Sequence, residues 1–308
     1  MVITGSVFNQ IIALFLIILT GYAIRKLNAV DRQFEKGLVD FIMNIAIPAL
    51  TISSMAYKFS FDTLKNCGIV IIVCIILSAV LIIIAYAVTF FLKTGDATKD
   101  VYRFMLIFAN TGFVGFPIIN AAYGKVGVFY TAVYNLPYNI LMWTVGLIIL
   151  NSRKTKMPVK SMINPGTVSV LAGFVIFILS VKIPSPIASA IKMTGDLATP
   201  LSMIYIGFNL ADADTKNIFT NITAFFMCIL RLIIIPLLFF MMLKPFIKDP
   251  LILNIITILS AMPAAANTAI FAGKLGSDKH TASWVVCLST IMSIATLPFI
   301  IYIINLGS

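Results

Sequence analysis

Two short stretches carry residue types that could do chemistry inside otherwise apolar sequence. The first is Ala109-Asn-Thr-Gly-Phe-Val-Gly-Phe-Pro117. Gly112, Gly115 and Pro117 are poor helix material, because Pro117 lacks an N–H and clashes with the preceding turn. The second is Ser260-Ala-Met-Pro-Ala-Ala-Ala-Asn-Thr268, with Pro263 at its centre. Backbone groups freed by such breaks cannot face lipid, so they must be buried or line a cavity. Facing half-helices would present N-terminal N–H groups, with their partial positive charge, to an anion. Asn110, Thr111, Asn267 and Thr268 would add side-chain hydrogen bonds. The alternative is a pair of packing kinks, since Gly and Pro are common in membrane helices.

A second class of candidate is the isolated polar residue. Arg231 sits near the middle of an apolar run, where a charge costs several kcal/mol unless paired or hydrated. It could bind a carboxylate or gate a path; it could equally pair with an acid or with exposed carbonyls and hold helices together. Asp196 reads as the most deeply placed acid and as the ion-coupling candidate. Asn135, Pro137 and Asn139 could line the same cavity or form helix–helix hydrogen bonds. Pro48 and Pro200, each four residues after a polar side chain (Asn44 and Asp196), read as structural kinks. Cys67, Cys74, Cys228 and Cys287 all fall in apolar runs without a C-x-x-C pair, and His280 is the one histidine. No metal site or cofactor is expected from so few soft ligands.

The elements that must position these residues follow from composition. The 308 residues are 60% hydrophobic and 11% charged, with a mean hydropathy of +1.06. A soluble domain is about 45–50% apolar and about 25% charged. A soluble enzyme, a disordered chain and a disulfide scaffold are therefore excluded. A crossing helix needs about 20 mostly apolar residues. Ten runs qualify, at roughly 6–25, 37–56, 67–92, 101–122, 127–150, 163–181, 187–210, 217–243, 251–273 and 282–305. Alternating ten-residue segments are absent, so an all-α polytopic membrane protein is expected rather than a barrel.

The net charge of +11 comes from 22 Lys+Arg against 11 Asp+Glu. On a soluble chain it would suggest nucleic acid; here the basic residues flank apolar runs, and no nucleic acid is expected. Fourteen of them fall in loops of one side and seven on the other. The positive-inside rule then places both termini outside and the basic loop NSRKTKMPVK in the cytoplasm.

That loop divides the chain into a first five-helix repeat at 1–150, a linker at 151–162 and a second repeat at 163–308. Asn44-Ile-Ala-Ile-Pro48 resembles Asp196-Leu-Ala-Thr-Pro200, and Gly21 and Gly173 share the same offset. Tyr123-Gly-Lys-Val-Gly127 resembles Ala272-Gly-Lys-Leu-Gly276. An odd number of spans inverts the second copy, and inverted repeats with broken helices mark secondary transporters.

These residues are similar to those of the auxin efflux carrier family of bacterial permeases and plant carriers. Asn110-Thr-Gly-Phe-Val-Gly-Phe-Pro117 with Tyr123-Gly124 resembles its fourth-span motif. Gly195-Asp196-Leu-Ala-Thr-Pro200-Leu with Gly207 resembles its seventh-span stretch, and Ala261-Met-Pro263 with Phe271-Ala272 its ninth-span crossover. The resemblance implies ten spans in two inverted five-helix repeats, with broken helices 4 and 9 crossing beside the substrate. It implies that Asn110 contacts the substrate carboxylate, that spans 1, 2, 6 and 7 form a scaffold while the others move, and that the scaffold dimerises. Two departures stand out: the central loop is only about a dozen residues, and Thr268 occupies the place of a second ninth-span proline. The bacterial members suggest organic acids such as malate or malonate rather than auxin.

The expectation is an elevator-type transporter of a small organic anion, not an enzyme, in the cell membrane. The substrate-binding set is Asn110, Thr111, Gly112, Gly115, Pro117, Asn139, Arg231, Pro263, Asn267 and Thr268. The main rival is a sodium-coupled symporter of the bile-acid type. An intramembrane enzyme would need paired acids, a Ser/His pair or a metal cluster. A receptor that binds ligand and moves nothing would be expected to carry a fused signalling segment.

Overall fold

The computed structural model of the chain describes residues 4–56, 59–151, 165–212 and 221–307. Most of the expected linker 151–162, and Lys216, lie outside them. The described residues are mostly helical and contain no β-strand. In order they form α1 (Thr4–Lys26), α2 (Arg32–Phe41), α3 (Ile47–Met55), α4 (Phe61–Phe90), α5 (Asp96–Ile107), α6 (Phe116–Leu141), α7 (Leu147–Asn151) and α8 (Pro165–Ile178). There follow α9 (Ser185–Asp196), α10 (Ala198–Asp212), α11 (Ile222–Ile229), α12 (Ile235–Leu243), α13 (Pro250–Ser260), α14 (Asn267–Leu275) and α15 (Lys279–Gly307). Single π turns join α2 to α3, α6 to α7 and α11 to α12, and one at Thr111–Gly115 precedes α6. The described part of each expected apolar run falls mainly on a helix or a helix pair.

Local chemistry accounts for many of the ends. Asp31, Asn221 and Asp249 accept backbone N–H groups at the starts of α2, α11 and α13, satisfying donors that a helix leaves orphaned. Gly276 closes α14 in the left-handed region at φ 71°, where glycine meets no Cβ penalty. Gly124 turns sharply inside α6 at φ 59° and ψ −148°, separating Phe116–Tyr123 from the rest of that helix.

Five segments among the described residues are long and apolar enough to cross a membrane: Gln33–Met55, Phe61–Phe90, Thr111–Leu150, Ile222–Leu243 and Lys279–Gly307. The third spans the Gly124 bend. The outward faces are apolar too. Ile72, Ile83 and Phe90 of α4 are 58%, 69% and 75% exposed. A soluble monomer rarely presents continuous apolar surface of this kind; a hydrocarbon surround removes the cost.

The chain forms two compact units, Met1–Ile71 with Gly112–Leu136 and Val159–Asp212, and Ile72–Thr111 with Pro137–Pro158 and Ala213–Ser308. In the first unit, α1 packs extensively on α10, and α3 on α8 and α9. The α1–α10 approach is backbone on backbone: a Cβ at Gly207 would lie 2.2 Å from the Ile18 carbonyl oxygen, and one at Gly21 would lie 2.3 Å from that of Ile204. Small residues at such crossings gain dispersion that a larger side chain would forbid. At the end of the same pair, Arg25 Nε donates to both Asp212 carboxylate oxygens at 3.0 Å, and Nη2 reaches Glu35 at 3.1 Å. In the second unit, α15 packs on α5, α11, α13 and α14, and α12 on α13.

Candidate functional site

The second unit contains two breaks in helix. α5 ends at Ile107 and leaves Phe108 extended at φ −107° and ψ 115°. α13 ends at Ser260, and helix resumes at Asn267. The two connections pair with each other. Asn110 N–H donates to the Pro263 carbonyl at 2.8 Å, and Ala265 N–H donates to the Phe108 carbonyl at 3.1 Å. They frame a single antiparallel bridge between Ala109 and Ala264. Residues 150 or so apart in sequence thus satisfy each other's backbone, as apolar surroundings require.

Side chains complete that accounting. Ala109 N–H donates to the Tyr138 hydroxyl oxygen, whose own proton faces the carbonyls of Ile107 at 3.3 Å and Ala109 at 3.5 Å. Arg231, fully buried in the π turn between α11 and α12, donates from Nη1 to the Leu106 carbonyl at 3.1 Å. That carbonyl belongs to the last turn of α5, where orphan acceptors and the negative end of the helix dipole favour a cation. Of the two roles expected for Arg231, this contact is the carbonyl-holding one. On the other side of the bridge, Ala264 N–H donates to Ser289 Oγ at 3.1 Å. Thr268 Oγ1 donates to the Ala265 carbonyl at 2.6 Å, and its N–H donates to the same oxygen at 2.9 Å.

The expected site residues divide between the units. The second unit contains Asn110, Thr111, Asn139, Arg231, Pro263, Asn267 and Thr268. Asn110, Thr111, Pro263 and Thr268 are buried, whereas Asn139 and Asn267 are half-buried. The first unit contains Gly112 and Gly115 in the π turn, Pro117 as the second residue of α6, and Asp196 as the last residue of α9. Asn135 belongs to the first unit, where its amide donates to the Thr131 carbonyl at 3.0 Å.

Asp196 is held by a neighbour on its own helix. It is about half exposed and accepts a hydrogen bond from Lys192, one turn earlier, at 2.5 Å. Among the described residues the buried carboxylate is Asp100, 4% exposed, which pairs with Arg103 at 2.7 Å. Hydropathy averaged over the run placed Asp196 deep because its neighbours are apolar; the Lys192 partner four residues back marks an outward helix face.

Two contributors were not anticipated. Tyr138, between Pro137 and Asn139, carries an aromatic ring that reads as packing, so its hydroxyl gave no signal. Ser289 lies in an apolar helix, where a lone serine reads as filler. Among the described residues no group of three or more His, Cys, Asp or Glu could hold a metal ion.

Long apolar helices with protein-satisfied breaks define an integral membrane protein. The chain belongs to the auxin efflux carrier family: the family model described as Membrane transport protein, Mem_trans, matches residues 6–159 and 154–301. It is a multi-pass member of a family of membrane transporters. A Methanothermobacter thermautotrophicus protein named "Uncharacterized transporter" is 24% identical over 304 residues, covering 97% of this chain and 98% of the relative. A Rhizobium meliloti protein named "Putative malonate transporter" is 22% identical over 316 residues, covering 99% and 98%.

Proposed function

We propose that this membrane transporter carries a small organic anion, a mono- or dicarboxylate, by elevator-type alternating access. The observation that carries the reading is the bridge between the interruptions, with Asn110 buried beside the Pro263 carbonyl. Its backbone is already satisfied, so the bridge holds its shape without a ligand. The start of α14, at Asn267, adds the partial positive charge of a helix N-terminus. Asn110 and Thr111 would take the carboxylate, with Asn139, Asn267 and Thr268 of the same unit around it. Arg231 would hold the break from behind. The malonate named for the Rhizobium relative fits this substrate class.

In this reading the chain is ten spans in two inverted five-helix repeats, 1–150 and 163–308, with spans 4 and 9 broken. The first unit contains the helices of spans 1, 2, 6 and 7, the set that the family resemblance assigns to a scaffold and to a homodimer, together with Gly112–Leu136 from expected spans 4 and 5. α4 and α6 are each divided between the units, so they would connect scaffold to carrier. Both termini would face outward in the cell membrane. Asp196 is retained only as an ion-coupling candidate, set against its ion pair with Lys192.

The test is transport in proteoliposomes, with radiolabelled malonate as the first substrate. Wild type is expected to take up malonate, and Asn110→Ala to lose at least about tenfold, which corresponds to about 1.4 kcal/mol. Normal rate and affinity in the variant would overturn the site. Uptake that requires sodium would move the reading to the bile-acid type of symporter.

A further inference from the structure

A separate feature lies entirely within the first unit. A cavity of about 850 Å³ opens between the end of α3, the connection at 180–183 and α9. This is within the range of pockets that enclose drug-sized ligands, about 300–1,000 Å³, and a three-carbon dicarboxylate would leave most of it empty. Its lining has two characters. Lys125, Lys182 and Lys192 stand around it with the hydroxyls of Ser53, Ser185 and Ser189. Between them, Val181, Ile183 and Ile191 present alkyl surface.

The charge is only partly compensated. Lys192 has Asp196, whereas Lys125 and Lys182 have no carboxylate within ion-pair distance among the described residues. The turn at Gly124 takes Lys125 out of the path of the preceding helix. The apolar part of the lining continues outward, since Leu179 and Ile187 beside the cavity are 67% and 54% exposed. Two unneutralised ammonium groups, several hydroxyls and an adjoining alkyl surface match a molecule with an anionic head and a hydrocarbon tail.

We propose that this cavity binds an anionic phospholipid. The headgroup phosphate lies between Lys125 and Lys182, with serine hydroxyls donating to its oxygens. The acyl chains run along the exposed apolar residues of α8 and α9. This site uses none of the residues assigned to the transported anion.

The experiment uses the full chain in detergent, read by native mass spectrometry and by thermal shift. Probes are phosphatidylglycerol, phosphatidylcholine and soluble glycerol 3-phosphate. Phosphatidylglycerol is expected to stay bound and raise the Tm more than phosphatidylcholine does. The double variant Lys125→Gln/Lys182→Gln is expected to weaken that binding on the order of thirty-fold, from the contribution of two basic groups at an anionic surface. Both lysines are exposed, so folding is preserved, and Lys36→Gln is the matched control. Three results would each overturn the proposal: undiminished binding by the double variant, equal binding of phosphatidylcholine, or an equal shift from glycerol 3-phosphate, which would mark a site for soluble anions.

Discussion

The two interruptions solve one problem by different means. At the first, the backbone between Ile107 and Thr111 is held from outside its own span, by Arg231 on the Leu106 carbonyl and by the Tyr138 hydroxyl. At the second, part of the work is local: Thr268 closes onto Ala265 in its own turn, while Ser289 reaches in from another helix. The first break is also followed by two glycines in a π turn, the second by an ordinary α-helix. A break held by remote side chains depends on the packing of several helices. A break closed by its own hydroxyl keeps its shape more independently. The first interruption is therefore the more sensitive to distant substitution, and it is the one that contains Asn110.

Arg231→Met is the largest test of that difference. It leaves the Leu106 carbonyl buried without its charged donor, at a cost on the order of 2–3 kcal/mol. A marked fall in Tm is expected, with transport lost, and Arg231→Lys is expected to rescue only part because one ammonium cannot reproduce the planar fork. Tyr138→Phe comes next. It strands Ala109 N–H at a cost of about 1–3 kcal/mol, measurable as a lower denaturation midpoint and reduced malonate uptake. Ser289→Ala, acting on the second break, is expected to cost about 1 kcal/mol and to leave uptake closer to wild type. If Ser289→Ala proves more damaging than Tyr138→Phe, the asymmetry runs the other way.

The smallest effect concerns a tie outside the spans. Asp278 accepts hydrogen bonds from Thr98 Oγ1 at 2.7 Å and from the hydroxyl and N–H of Thr281 at 2.6 and 2.9 Å. Partial burial would raise its carboxyl, but these donors outweigh it and hold the pKa below the ordinary value. A depressed carboxyl contributes stability above its unfolded pKa and loses it as pH falls through the folded one. Thermal scans from pH 7 to pH 3 are expected to show wild type losing this increment below about pH 4, with Asp278→Asn flatter over the same range.

The positions of the helices were legible because each run is long, apolar and bounded by charge or proline. Pro263 lies within the second connection, but Gly112 and Gly115 fall in the π turn and Pro117 in α6, beyond the first one, so that break was legible only to within a few residues. What joins the interruptions was not. The Asn110–Pro263 hydrogen bond and the Arg25–Asp212 pair link residues more than 150 positions apart, and no periodicity encodes such a partner. Arg25 in particular read as one more basic residue in a flanking loop, yet it is 7% exposed and shared by two carboxylates. The Lys192 partner of Asp196 was not legible either, because hydropathy averages both faces of a helix and cannot tell which one a charge occupies.

The contact between Gly21 and Gly207 has a practical consequence. Helices whose backbones touch cannot slide past or rotate about one another without collision. α1 and α10 therefore act as a single rigid strut. Spectroscopic labels placed on that strut would keep a constant mutual distance through the working cycle, giving a built-in ruler against which any other displacement in the protein can be measured.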